Sequence, residues 1–416
     1  MENVILVGCQ LPHQSDDRFD SSLQELEALV KTAGGEVVAV STQKRQQIDS
    51  ATYIGKGKLE EVEALEKQLG ADAVIFNGEL SPGQQSRLNT SLFSKVLDRT
   101  QLILDIFAMR ARSREGKLQV ELAQLNYLLP RLSGMGDSLS RLGGGIGTRG
   151  PGETKLETDR RYIRNRMKDI GNQLKTVAGH RKRYRDRRTA NDQCLVVLVG
   201  YTNAGKSTLF NRLTSAHTYV ENQLFATLDP LTRKMKLPNG LICLLSDTVG
   251  FIQDLPTQLV AAFRSTLEEI TGARLIIHVV DASDPDLIAQ ERTVAALMSE
   301  LGADDLPVLK LYNKRDLLQT AFIAPKEALL ISARSIEDGD RVLQAVQNEL
   351  IKQMVPFKCR IPADEGRLLN EIMTHAVLER RTFIEEAQSY EVEGFVFPET
   401  PLASKLIKHA VLKDGE

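Results

Sequence analysis

The 416-residue chain predicts an α/β fold divided into several layered domains. Three observations lead there. Short apolar runs alternate with amphipathic stretches through residues 1 to 108. An apolar run at Leu195 to Val199 opens onto a glycine-rich turn and then a helical stretch. Further apolar runs, Leu241 to Leu245, Val308 to Leu311 and Leu329 to Ile331, each end in a polar cluster. Strand and helix in alternation are the pattern of sheets layered with helices. At about 150 residues per domain, the length suggests about three domains.

In chain order, Val4 to Val7, Glu36 to Val40, Ala73 to Phe76 and Ile103 to Phe107 read as strands, with helices near Ser21 to Ala33 and Lys58 to Leu69. They define an N-terminal α/β domain, residues 1–108. From Met109 to Pro130 the period becomes helical, with Leu118, Leu122, Leu125 and Leu129 on one face. A second long helix begins near Thr154, where Thr154-Lys155-Leu156-Glu157 forms a capping box. Its Ile163, Met167, Ile170, Leu174 and Val177 alternate steps of four and three, as a coiled-coil seam does. An antiparallel helical hairpin over 109–190 is the simplest arrangement. Residues 191–355 then carry the glycine-rich turn and its partners. Residues 356–416 read as a small α/β tail with Ile361, Leu368, Leu369, Ile372, Phe395 and Phe397 in its core, and no chemistry is assigned to it.

Hydrophobic residues make up 42% and charged residues 26% of the chain, which excludes wholesale disorder and fibrous architectures. Every apolar run is broken short of the roughly 20 residues a membrane-spanning helix needs, and no basic leader precedes Val4. Cys9, Cys194, Cys243 and Cys359 are scattered, and neither they nor the six histidines fall at metal-ligand spacing. A reducing cytoplasm is the expected compartment, and the chain is expected to act as a monomer. The net charge of −2 conceals an asymmetry. Between Arg110 and Arg188 there are 20 Lys/Arg and 8 Asp/Glu, a surplus of 12 positive charges that leaves 14 negative on the rest. A basic block on an otherwise acidic chain points to a polyanionic partner on one surface. Eight glycines fall within residues 134–152. Arg131, Arg141 and Arg149, interleaved with them, suit a loop that orders against phosphates better than a plain connector.

The most informative segment is Gly200-Tyr201-Thr202-Asn203-Ala204-Gly205-Lys206-Ser207-Thr208, where a strand runs into Gly-x-x-x-x-Gly-Lys-Ser and a helix. A triphosphate needs converging backbone N–H groups, the positive end of a helix and an ammonium near its β and γ phosphates. Lys206 supplies the ammonium and Ser207 a hydroxyl for Mg²⁺. About 20 residues on, Thr227 can reach Mg²⁺ and sense the γ phosphate. Asp247-Thr248-Val249-Gly250 follows a strand. There Asp247 would hold Mg²⁺ through water and the Gly250 N–H would touch the γ phosphate. Asn313-Lys314-Arg315-Asp316 follows another strand, and a carboxylate at Asp316 accepts both guanine donors while opposing adenine, which lacks them. Ser332-Ala333-Arg334 can offer the Ala333 N–H to guanine O6. Together these elements specify GTP as substrate and GDP as product.

Residues 193 to 354 resemble the Ras-like GTPases, and the whole chain resembles one family among them, the HflX ribosome-associated GTPases. The resemblance rests on Tyr53-Ile54-Gly55-Lys56-Gly57-Lys58, on the run from Ser138 to Glu157 (SLSRLGGGIGTRGPGETKLE), and on Phe225-Ala226-Thr227-Leu228-Asp229-Pro230. It implies a P-loop GTPase domain with an N-terminal α/β domain and a helical hairpin. It also implies GTP-dependent binding to the large ribosomal subunit and its RNA, and dissociation of stalled or idle ribosomes. The Ras-like relatives place a water-orienting Gln directly after the Asp-x-x-Gly glycine. Here that residue is Phe251, so slow intrinsic hydrolysis is expected. The missing group would come from the glycine-rich loop, from the ribosome, or from a K⁺ ion beside Asn203, unless Asn203 only shapes the turn. Two other readings stay open. In one, GTP is a structural ligand of a regulatory or ribosome-assembly module. In the other, the N-terminal domain is a nucleotide-dependent RNA remodeller.

Overall fold

The structure, a computed structural model, describes residues 1–140, 155–190, 193–214, 224–225, 231–252 and 270–409. These residues divide into two compact units. The first comprises the described residues of 1–177 with Leu224 and Phe225, and the second holds the other described residues.

In the first unit, β1 (Glu2–Gln10), β2 (Gly35–Lys44), β3 (Ala73–Phe76) and β4 (Lys95–Asp98) form a parallel sheet in the order β2-β1-β3-β4. β3 is buried along its whole length and β1 from Val4 onward, which is why both read as unbroken apolar runs. Helices α1 (Asp16–Thr32), α2 (Lys56–Leu69), α3 (Pro82–Ser91) and α4 (Arg99–Arg110) cover the sheet. The segment Ile103 to Phe107, expected as a strand, is the second half of α4. The Asp98 carboxylate accepts the Gln101 N–H at 2.8 Å and starts the helix. Leu102, Ile103, Leu104, Ile106 and Phe107 are buried all round it because α1 and α5 pack on either side. The strand that the sheet needs is the preceding Lys95–Asp98. In Tyr53-Ile54-Gly55-Lys56-Gly57-Lys58 the first two residues are core, with the Tyr53 ring edge-on to Phe76 at 5.5 Å, and Gly55 caps α2.

Helices α5 (Arg114–Ser140) and α6 (Lys155–Ala190) follow. Arg166 grips Glu121 with two bonds of 2.6 and 2.8 Å, and Arg114 reaches Gln173 at 3.3 Å. Moving seven residues up one helix moves seven down the other, the register of an antiparallel hairpin. The expected seam is buried at Ile163 and Ile170. Arg131 departs from expectation. It is 8% exposed, stacked on Tyr127, and bonded to the Leu80 carbonyl (2.6 Å) and the buried Asp98 carboxylate (3.4 Å). It therefore locks α5 to the sheet domain and does not serve the glycine-rich segment. Arg141, Arg149 and the capping Thr154 lie outside the described residues. Leu224 and Phe225 belong to this unit as well. The Leu224 N–H donates to Thr32 (3.3 Å) and the Phe225 ring meets Phe107 at 4.6 Å.

In the second unit, β5 (Leu195–Gly200), β6 (Leu231–Lys236), β7 (Ile242–Asp247), β8 (Leu275–Asp281), β9 (Val308–Asn313) and β10 (Leu329–Leu330) form a sheet in the order β10-β9-β8-β5-β7-β6. Only β6 runs antiparallel to its neighbour. Helices α7 (Lys206–Thr214), α8 (Leu287–Glu300) and α9 (Ile336–Ile351) flank it. The tail forms an antiparallel sheet, β11 (Val355–Pro362), β12 (Val377–Ile384) and β13 (Ser389–Val396), ordered β11-β13-β12 and covered by α10 (Gly366–His375) and α11 (Pro401–Lys408). Val377 and Phe397 join the core of the six-stranded sheet, and Arg274 lies over the Phe397 ring while pairing with Glu399. All four cysteines are buried and free. Among the described residues, no helix is long and apolar enough to cross a membrane.

His278, in the middle of β8, is 6% exposed, and burial first, then Lys310, pushes its imidazole down to about 4. The native state keeps it neutral while the unfolded chain protonates near 6.5, so stability is lost as pH falls from about 6.5 to about 4, by at most about 3 kcal/mol. Replacing His278 by Gln is expected to flatten that acid limb. Thermal melts across pH 4 to 7 that superimpose in slope on wild type would contradict the assignment.

Candidate nucleotide site

Because five of the six strands are parallel, their carboxyl ends share one edge, where a sheet of this kind binds ligands. The glycine-rich turn leaves β5 between β7 and β8, the strands that diverge to either side. Gly200 and Gly205 have φ of 152° and 96°, a region that disfavours side chains. A Cβ on Gly200 would stand 2.1 Å from the Val279 carbonyl oxygen, and one on Gly205 would stand 2.2 Å from Asn313 Nδ2. Asn203 also turns left-handed, at φ 60°, and is exposed.

Asn313, at the end of β9, is 2% exposed. Its Nδ2 donates to the Ala204 carbonyl (2.8 Å) and its Oδ1 accepts the Ala333 N–H (2.8 Å). One side chain thus ties the phosphate loop to the Ser-Ala loop. That second bond uses the N–H that the sequence assigns to guanine O6, so such a contact requires the donor to be shared or released. Ser332 Oγ donates to Asp316 at 2.7 Å, and this bond holds the carboxyl below the ordinary carboxylate range. Lys314 has a left-handed backbone and pairs with Asp281 at 2.6 Å. Arg334 is exposed, and its carbonyl accepts from Arg212 at 2.7 Å.

At the other end of the site, Lys206 is 6% exposed and donates to the Gly200 and Tyr201 carbonyls at 3.0 and 2.7 Å. Burial pushes its ammonium down to about 8, against the pull of Asp247. Ser207 Oγ donates to Asp247 at 2.8 Å, and Thr248 anchors to the Leu198 carbonyl at 2.7 Å. Val249, Ala204 and Tyr201 are buried, and Thr208 is half-buried on the first turn of α7. A Cβ on Gly250 would meet Lys206 Nζ and Thr202 Cγ2, each at 2.9 Å, so this glycine borders the ammonium directly. Thr202 Oγ1 is buried with no hydrogen-bond partner among the described residues. Phe251 is 3% exposed, and its backbone pairs with the loop: Thr202 donates to its carbonyl (2.7 Å) and its N–H donates to Gly200 (3.1 Å). Thr227 lies outside the described residues.

Sequence reasoning missed Asp281, Arg212 and Asp338. Asp281 is a strand-end aspartate and carried a local signal, whereas the other two act only through tertiary contacts.

The order of these elements along one sheet edge, with a carboxylate poised for a purine that carries donors, makes this a P-loop GTPase. Family models match the chain at residues 20–108 (GTP-binding GTPase N-terminal), 110–188 (GTP-binding GTPase Middle Region) and 195–314 (50S ribosome-binding GTPase). The chain is 53% identical to GTPase HflX of Alkalihalophilus pseudofirmus, spanning 100% of this chain and 98% of that one. It is 50% identical to that of Caldanaerobacter subterraneus (91% and 89%) and 42% identical to that of Escherichia coli K12 (89% and 89%). The chain belongs to the HflX family of GTPases, binds guanine nucleotides and hydrolyses GTP.

A methyl group at Gly205 cannot coexist with the Asn313 amide. Gly205→Ala is expected to cost about 2 kcal/mol or more of stability, and about 100-fold in GDP affinity, by loss of the loop geometry. Fluorescent GDP titration and a melt check it, and an unchanged dissociation constant would exclude the close approach.

Proposed function

We propose that this GTPase docks on the large ribosomal subunit through its helical hairpin when GTP is bound, contacts ribosomal RNA there, and dissociates stalled or idle ribosomes. The observation that carries the reading lies on α6. Arg161, Arg164, Lys168 and Lys175 are exposed and recur at steps of three, four and seven, which aligns them in one stripe. The buried seam of Ile163 and Ile170 lies on a different face, so the hairpin spends one side on packing and leaves a cationic ladder outward. Structured RNA, with its regularly spaced phosphates, is the matching partner. The match to a 50S ribosome-binding GTPase model supports the same partner. The protein acts as a cytoplasmic monomer in this reading.

For hydrolysis, the chain's own groups position phosphates and neutralise charge. Lys206 trades its two carbonyl partners for phosphate oxygens, and the N–H groups of Asn203 to Thr208 and the Thr202 hydroxyl surround them. Gly250 borders Lys206 closely, and in this reading its N–H meets the γ phosphate, which Thr227 reports. Asp316, with Ser332 behind it, reads the guanine, Asn313 and Ala333 hold its pocket, and Lys314 and Arg334 border it. Ser207 and Asp247 already hold oxygens 2.8 Å apart, a donor set of the hard kind that Mg²⁺ takes. With Thr227 they would hold that ion, which supplies neutralisation of phosphate charge. Phe251, locked by its backbone and buried, orients no water. The missing contribution comes from the glycine-rich segment, from the ribosome, or from a K⁺ ion beside Asn203. Equal hydrolysis rates in K⁺ and Na⁺ would remove that source.

Arg164→Ala, Lys168→Ala and Lys175→Ala combined are expected to weaken co-sedimentation with 50S subunits by at least about tenfold and to flatten its salt dependence, leaving GDP affinity unchanged. Sucrose gradients of intact ribosomes with the protein and a non-hydrolysable GTP analogue test the activity. Conversion of the 70S peak into subunits is expected, and binding to 50S alone with 70S intact would favour an assembly role.

A further inference from the structure

We infer that Asp338 is a positioning residue for guanine recognition, holding the Asp316 carboxylate in place from both of its flanks. This rests on the guanine reading of the pocket and adds to it a residue that does not itself touch the nucleotide.

Asp338 lies in the first turn of α9, which Ser335 caps, and is 2% exposed. One of its oxygens, Oδ2, accepts the Ser332 N–H at 2.8 Å and forms an ion pair with the Arg315 guanidinium at 3.0 Å. The other, Oδ1, accepts from Arg341 at 2.7 Å. Arg315 immediately precedes Asp316, and Ser332 is the residue whose hydroxyl donates to the Asp316 carboxylate at 2.7 Å. A single buried oxygen therefore holds the side chain of the residue before the base-reading carboxylate and the backbone N–H of the serine that aims it. The Arg315 N–H bond to the Ile331 carbonyl, at 3.0 Å, closes the same ring. The carboxylate lies in the first turn of α9, between the Arg315 and Arg341 guanidinium groups. Arg341 balances charge without reaching either loop.

The consequence concerns selectivity. Asp316 distinguishes guanine from hypoxanthine through the exocyclic amine, which inosine diphosphate lacks. If Asp338 aims Asp316, its loss lowers affinity for GDP more than for inosine diphosphate. If Asp338 only stabilises the fold, both affinities fall together or neither falls.

The test is the ratio of dissociation constants for GDP and inosine diphosphate, measured on the full chain with kcat and KM for GTP. Asp338→Ala is expected to compress the ratio about tenfold and raise KM with kcat retained at saturation. Asp338→Asn, which keeps an oxygen for the Ser332 N–H, should recover part of it. Arg315→Gln should compress the ratio in the same direction, and it decides the matter should Asp338→Ala fail to fold. Arg341→Gln should leave the ratio at the wild-type value. A wild-type ratio in Asp338→Ala, or in Arg315→Gln where the former is unfolded, overturns the inference. A wild-type protein that itself shows no preference for GDP overturns the guanine reading instead.

Discussion

The structure of the nucleotide site depends on one buried amide. Asn313 spans the gap between the phosphate loop and the Ser-Ala loop, donating to one and accepting from the other. Both bonds lie in the interior, where a broken partner costs the full desolvation of a polar group, about 1 to 3 kcal/mol. The contact is possible only because Gly205 has no side chain. Phosphate recognition and base recognition, which arise from segments more than a hundred residues apart, are thereby made parts of one rigid object. The bonds that join the two loops are in place without a nucleotide.

The same region stores its charges in internal pairs that a ligand can exchange. Lys206 faces two loop carbonyls, and Ser207 faces Asp247. Burial lowers the basicity of the ammonium, against the pull of Asp247.

Much of this was legible in the sequence. Val196 to Val199 and Ala73 to Phe76 are buried on both faces, and such strands announce themselves as unbroken apolar runs. The phosphate loop and the Asn-Lys-x-Asp segment were legible because their chemistry admits few residue types. Ile103 to Phe107 misled for the reason that makes β3 easy: a helix buried on all sides also shows no periodicity, and only the Asp98 cap marks it. Arg131 misled differently. It stands three residues before the first glycine of the 134–152 run, yet its partners Leu80 and Asp98 come from elsewhere in the chain. Asp338 reads as an ordinary first-turn acid, and only the fold reveals that it faces Ser332 and Arg315.

The account stands on selective capture of guanine nucleotides at this sheet edge. Isothermal titration of the purified protein with GDP and with ADP, in magnesium buffer, addresses it most directly. One GDP per chain with no detectable heat for ADP is the predicted result. Equal uptake of the two nucleotides, or of neither, would contradict it.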